Sequence, residues 1–325
     1  MATYKGIKGF TLQNVSSDPT VNEGQLWYNS ASSIFKLAAT TATGSWASGG
    51  ALNAAKGNIV GAGTQTAGLG FAGYGGSPTS SNTTEEYNGS AWSTANNMNT
   101  GSYGGTGAGI QTAALAFMGV GRGTQTEEYD GTNWSIGGAI GTARNGPGGA
   151  GLQTAGLAVG GGPSPFTRVE EYNGSSWTAV TAYPLNNSGG PRVVGLQTAA
   201  LAFSGEEPPG SKSVASRDYD GTNWTTAGNR STAVGLTGGF GVQTLALAVG
   251  GQSAGSPNAV NSSELYDGTS WSTETNYPAG LWNLAGAGTA SAGMAWGGQP
   301  PSPGTTSNYE WTGAGADVTK TITTS

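Results

Sequence analysis

The chain has neither cysteine nor histidine in 325 residues. Without cysteine there is no disulfide framework and no thiolate zinc site. Without histidine there is no Ser-His-Asp triad and no imidazole acid–base or metal chemistry. Charged residues are only 9% of the chain, and the formal net charge is −6. The lysines and arginines are scattered, so the basic stripe that a phosphate backbone needs is missing and nucleic acid is not expected as a partner. No apolar run approaches the ~18 residues of a spanning helix, so membrane insertion is not expected. The N-terminal MATYKGIKGF lacks the apolar core of a secretory signal peptide, so general secretion is not expected either.

Glycine is what the chain has in excess: 60 residues, well over twice the usual ~7%. The glycines belong to a repeat. TEEYNGSAW (84–92) recurs as TEEYDGTNW (126–134), VEEYNGSSW (169–177), SRDYDGTNW (216–224) and SELYDGTSW (263–271), with a degenerate NYEWTGAG at 308–315. A second marker precedes each: GTQTAGLGFAG (63–73), GIQTAALAFMG (109–119), GLQTAGLAVGG (151–161), GLQTAALAFSG (195–205), GVQTLALAVGG (241–251) and GTASAGMAWGG (288–298). A period of ~45 residues is that of a β-propeller blade.

Each copy reads as four strands. Strand a is glycine-rich and ends at Gln-Thr, strand b is the short apolar run, strand c holds Glu-Glu-Tyr, and strand d begins at the tryptophan. Asn-Gly or Asp-Gly between c and d predicts type I′ hairpins. The Glu-Glu pairs are expected to be solvent-facing strand residues rather than metal or acid–base sites, because neighbours on a strand point to opposite faces. Gly-rich stretches such as GAGTQTAG (61–68) lack the Gly-Lys-Ser/Thr of a phosphate loop. No cofactor or metal is called for.

The glycine pair, spacer, tyrosine and tryptophan resemble the kelch family of β-propellers, over about 57–325. The resemblance implies an all-β, kelch-like propeller of six four-stranded blades. A seventh is left open if 26–38 forms most of an extra blade. Arg144 alone fits the arginine often found between kelch blades, with Arg192 and Arg230 at other offsets. The segment 44–57 looks like a stray strand d plus linker, so an N-terminal strand is expected to complete the last blade and close the ring.

Residues 1–40 fall outside the repeat, and 26–38 reads as a hairpin with Leu26 and Tyr28 on one arm and Phe35 and Leu37 on the other. This leader, with its GQLWYN, and the C-terminal EWTGAGA resemble virion structural proteins of tailed phages of the marine cyanophage type. That resemblance implies a tail-fibre or appendage protein, made in the host cytoplasm and carried on the virion. Residues 1–43 would be its attachment segment (Tyr4, Phe10, Leu26, Trp27, Tyr28, Phe35), contacting other phage structural proteins, and 44–325 its propeller. Phage fibres are usually symmetric oligomers, which makes a homotrimer an option, although no heptad pattern supports one.

The b–c loops differ in every copy, and in a propeller they share a face with the d–a loops. Binding is expected there, through Tyr74, Tyr103, Arg122, Phe166, Arg168, Tyr183, Glu206, Lys212, Tyr277 and Trp282, with a host-surface receptor or glycan as partner. Aromatic faces suit sugar rings. The alternative is a capsid or tail decoration protein that binds only other virion proteins. A polysaccharide-degrading enzyme is less favoured. The YDGTNW segments lack the spacing of the sialidase Asp box, Ser-x-Asp-x-Gly-x-x-Trp, and the arginines do not share a blade position.

Overall fold

The computed structural model describes residues 13–17, 26–40, 43–75, 80–208, 210–255, 259–300, 304–314 and 317–322. The chain divides into two compact units, one of Ser45–Thr312 and one of Met1–Gly44 with Gly313–Ser325.

Among the described residues, the larger unit is a ring of six four-stranded antiparallel sheets, strands a to d in chain order. Blade 1 is Val60–Thr64, Ala67–Phe71, Thr84–Tyr87 and Trp92–Ala95. Blade 2 is Thr106–Ile110, Ala113–Phe117, Thr126–Tyr129 and Trp134–Ile136. Blade 3 is Gly148–Leu152, Ala155–Val159, Val169–Tyr172 and Trp177–Ala179. Blade 4 is Arg192–Leu196, Ala199–Phe203, Ser216–Tyr219 and Trp224–Ala227. Blade 5 is Gly238–Val242, Leu245–Gln252, Ala259–Tyr266 and Trp271–Glu274. Blade 6 takes Ala285–Gly288, Ala292–Trp296 and Asn308–Thr312 from the end of the ring and Ser45–Ser48 from its start. Trp311 pairs with Trp46 in that closing register. The expected closure by an N-terminal strand is therefore present, and blade 6 has its full four strands.

The strands a sit side by side around the axis, and close packing there favours glycine and alanine. A Cβ on Gly61 would stand 2.5 Å from the Trp296 ring of the neighbouring blade. Outward, the gap between blades widens and rings fill it. Within a blade, the strand-c tyrosine packs on the strand-d tryptophan, as in Tyr129–Trp134 with centroids 5.0 Å apart. The same tryptophan crosses to the preceding blade: Trp134 lies 5.0 Å from Phe71, Trp177 4.8 Å from Phe117 and Trp271 5.0 Å from Phe203.

Polar bonds stitch the same interfaces. The glutamine of each a–b turn donates through Nε2 to two carbonyls of the preceding blade, one on strand b and one on strand c. Gln111 bonds Gly68 and Tyr87, Gln153 bonds Ala114 and Tyr129, Gln197 bonds Gly156 and Tyr172, Gln243 bonds Ala200 and Tyr219, and Gln65 bonds Gly293 and Trp311. At the sixth interface Ala290 takes this position. The tyrosine hydroxyls donate backwards as well, Tyr129 to Glu86, Tyr172 to Glu128, Tyr219 to Glu171 and Tyr87 to Glu310.

These bonds correct the expectation that the Glu-Glu pairs face solvent. A propeller sheet is covered on both sides by its neighbours, so alternation sends each member of the pair into a different interface. The second glutamate meets the next blade's tyrosine. The first is buried and accepts N–H groups of the linker entering its own blade. Glu85 takes the Asn53 amide, Glu127 those of Asn99 and Thr100, Glu170 that of Gly141 and Glu264 that of Ser231. Three of them add a buried guanidinium: Arg122–Glu127 at 3.0 Å, Arg144–Glu170 at 2.8 Å and Arg230–Glu264 at 3.0 Å. Arg144 and Arg230, which looked unrelated by offset, thus do the same work from differently built linkers.

The c–d turns also differ from expectation. Gly89, Gly131, Gly174, Gly221 and Gly268 have φ near +90°, but the residue before each does not have positive φ. The turn is a four-residue loop held by a side chain. Asp130 Oδ1 accepts the N–H groups of Thr132 and Asn133, and Asn88, Asn173, Asp220 and Asp267 repeat the pattern. The Asx bonds supply what a type I′ turn would have supplied.

The smaller unit holds one sheet, ordered Gln13–Val15, Leu26–Asn29, Ile34–Thr40, Asp317–Ile322. The expected hairpin is there, with Leu26 opposite Leu37 and Tyr28 opposite Phe35. It forms this separate sheet rather than a seventh blade. The C-terminal strand, expected within the propeller, pairs with Ile34–Thr40 instead. Trp27 is fully buried, and Tyr28 and Phe35 stack 5.1 Å apart. Tyr4 and Phe10 lie outside the described residues.

Gln153→Ala strands two buried carbonyls and should lower stability by about 1–3 kcal/mol, read as a shift of the denaturant midpoint. Burial and Glu128 together raise the Tyr172 hydroxyl from 10.0 to about 12, and burial and the same kind of partner raise Tyr129 and Tyr219 too. The native state then holds these protons where the unfolded chain has lost them. Stability is full below pH ~10 and falls as pH rises through the folded-state values, so denaturant midpoints taken from pH 9 to 12 should drop while ordinary surface tyrosines ionise first.

Candidate functional site

The b–c and d–a connections meet on one face, where the linkers dip toward the axis before each strand a. There each linker makes one further β-bridge with the residues after strand b: Gly57 with Tyr74, Tyr103 with Val120, Asn145 with Gly162, Gly189 with Glu206, Gly235 with Gln252 and Trp282 with Gln299. Four sequence-predicted residues, Tyr74, Tyr103, Glu206 and Trp282, thus fall on two equivalent rings around the mouth of the channel. The backbone must turn sharply to allow this. The residue after strand b is left-handed in five blades, at Ala72, Met118, Gly160, Ser204 and Gly297, and in blade 5 the equivalent Gly250 sits at a bulge within the longer strand; a positive-φ glycine follows each. At Gly119 a Cβ would also stand 2.7 Å from the Gly105 nitrogen, so the kelch-type glycine is required for both conformation and space.

Inside the rings is a cavity of about 280 Å³, at the small end of ligand sites. Asn58, Asn145, Asn283, Thr106 and Ser188 give it polar walls, and Tyr103 and Arg192 are its ionisable groups. The mouth is asymmetric. On the side of blades 1 and 2, Tyr74 and Tyr103 meet edge-to-face at 5.5 Å. The Tyr74 hydroxyl bonds Asn58 and Gln299, and burial raises its pKa. On the side of blades 4 and 5, Lys212 pairs with Glu206 at 3.0 Å and bonds Gln252. Phe166 and Arg168 lie half-buried on the blade 3 loop.

Three predicted site residues belong elsewhere. Arg122 is buried, bonded to Glu127, Ser102 and Thr100. Tyr183 is buried against Trp224, and Tyr277 against Trp46 and Tyr309; burial raises both hydroxyls. Tyr183 and Tyr277 had looked unrepeated, yet each stands six residues after a strand-d tryptophan, as do Leu52, Met98, Ile140 and Arg230. All six are buried. Five donate their backbone N–H to the segment before strand c, as Met98 does to Asn82 and Tyr183 to Thr167, and Tyr277 donates to Asn261 within the longer strand c of blade 5. The position repeats while its residue type changes, and aligning the copies on tryptophan reveals it. Arg192 was missed as a site residue. Its signal is a lone cation at a position that the other copies fill with Val60, Thr106, Gly148, Gly238 and Ala285.

No protein-family model matches the chain, and no curated protein matches it in sequence. Its fold matches that of a solved β-propeller, described as the structure of YjhT, with a TM-score of 0.66 and 13% identity over 79% of this chain and 95% of the other. At that identity the likeness concerns the fold.

The burial of Arg122 separates scaffold from surface. Arg122→Met leaves Glu127 without its cation in the interior and should cost about 3–5 kcal/mol, measured by chemical denaturation, while Arg168→Ala should leave the unfolding free energy within about 0.5 kcal/mol.

Proposed function

We propose that this chain is a non-enzymatic saccharide-binding propeller of a tailed-phage virion. The b–c face meets a glycan of the host surface, and the N-terminal unit joins the propeller to other particle proteins. The observation that carries the binding reading is the mouth itself, where Tyr74 and Tyr103 abut a cavity walled by asparagine side chains. Aromatic faces stack on the apolar face of a pyranose while amides bond its hydroxyls. Hydrolysis of a glycosidic bond commonly uses two carboxylates. Glu206, on this rim, is held by Lys212, and no carboxylate lines the cavity itself, which favours recognition over cleavage. The virion reading rests on the resemblance of the leader and of EWTGAGA.

Glycan-array binding of the full chain tests the first part. Tyr103→Ala should weaken the bound glycan about tenfold or more, with an unchanged denaturation midpoint. An array without binders, or affinity indifferent to Tyr103, would overturn the saccharide reading. Immunogold labelling of particles tests the second part, and unlabelled particles would overturn it.

A further inference from the structure

Arg192 stands apart from the three buried arginines: it is half-buried, on the wall of the channel. Arg122, Arg144 and Arg230 each meet a glutamate. Arg192 reaches across the channel from blade 4 and meets only backbone oxygens. Nε and Nη2 donate to the Gly239 carbonyl at 3.0 and 2.6 Å, and Nη2 to the Gly286 carbonyl at 3.3 Å. Nη1 has no acceptor among the described residues. Burial without a nearby anion lowers the guanidinium to about 10, so it is still a cation at neutral pH. Two neutral carbonyls orient it but do not cancel its charge, and no acidic side chain lines the cavity whose floor it forms. A partly desolvated cation with no counter-ion, its remaining N–H groups turned to the channel, is a favourable partner for an anion entering there. The space above it opens to the face on which the proposed glycan would land.

We propose that the central cavity selects saccharides bearing a carboxylate, a uronic-acid residue, with Arg192 binding the carboxylate and Asn145 and Asn283 binding neighbouring hydroxyls. The proposal rests on the saccharide reading above and narrows it to a chemical class. A carboxylate suits the open Nη1 because charge-assisted bonds to guanidinium are about twice as strong as neutral ones. The cavity, about 280 Å³, accommodates one sugar unit rather than a polymer segment, which points to a terminal or side-branch acid.

The test is an NMR titration of the full chain with glucuronate, its neutral amide glucuronamide, glucose and inorganic phosphate. Glucuronate should bind at least about tenfold tighter than glucuronamide, with the margin shrinking as salt rises. Arg192→Gln should abolish the preference, and Arg192→Lys should keep part of it. If Arg192→Gln does not fold, the acid-to-amide comparison on the unaltered chain decides by itself. Equal affinity for acid and amide would overturn the proposal and leave the saccharide reading standing. Phosphate binding as tightly as glucuronate would overturn it in favour of a general anion site. Absence of binding by all the sugars would overturn both readings.

Discussion

Every blade has both faces covered by a neighbour, and that constraint shapes the rest of the propeller. A sheet in this position cannot send polar side chains to water on alternate residues. Most polar groups on strand c find their partners in the adjoining blade or linker. The Gln–carbonyl bonds, the Tyr–Glu bonds and the glutamates that receive linker N–H groups are the solutions, repeated around the ring. Because the partners lie in different blades, no blade is complete alone, and the ring must close. Ser45–Ser48 supplies the missing strand of blade 6 and joins the two ends of the ring through a backbone ladder.

Small residues near the axis and rings at the periphery are two sides of the same geometry. Sheets that radiate from an axis crowd at the centre and diverge outward. Glycine and alanine meet the crowding, and the Tyr–Trp–Phe stacks fill the divergence. The glycine after strand b turns the chain where a side chain would strike the linker backbone. With these positions committed to the scaffold, the freedom to vary falls on the mouth. There the ring symmetry is broken by an aromatic arc at blades 1 and 2, a charged pair at blade 4 and a solitary guanidinium beneath them. A mouth built this way can change its side chains without disturbing the ring, since the bonds that hold the blades together lie elsewhere.

Much of this was legible in the residues themselves. Six spaced copies of one motif, each with the glycine, tyrosine and tryptophan of a blade, determined the all-β class, the blade count and the closure, because a repeat that cannot bury its own faces has to stack on its neighbours. The hairpin at Leu26–Leu37 was readable from alternation alone. The destinations of polar side chains were not. Glu85, Glu127 and Glu170 look like solvent-facing residues on a strand taken singly, and only packing on both sides makes them interior. Tyr183 and Tyr277 look like free aromatics until the linker is seen to return beneath them. Arg122 and Arg192 are both arginines among small residues, yet one is neutralised by Glu127 and the other faces an open channel. Composition and period act locally and were decided by the chain. Partnership across blades joins residues some 40 positions apart, and only the closed ring brings them within bonding distance.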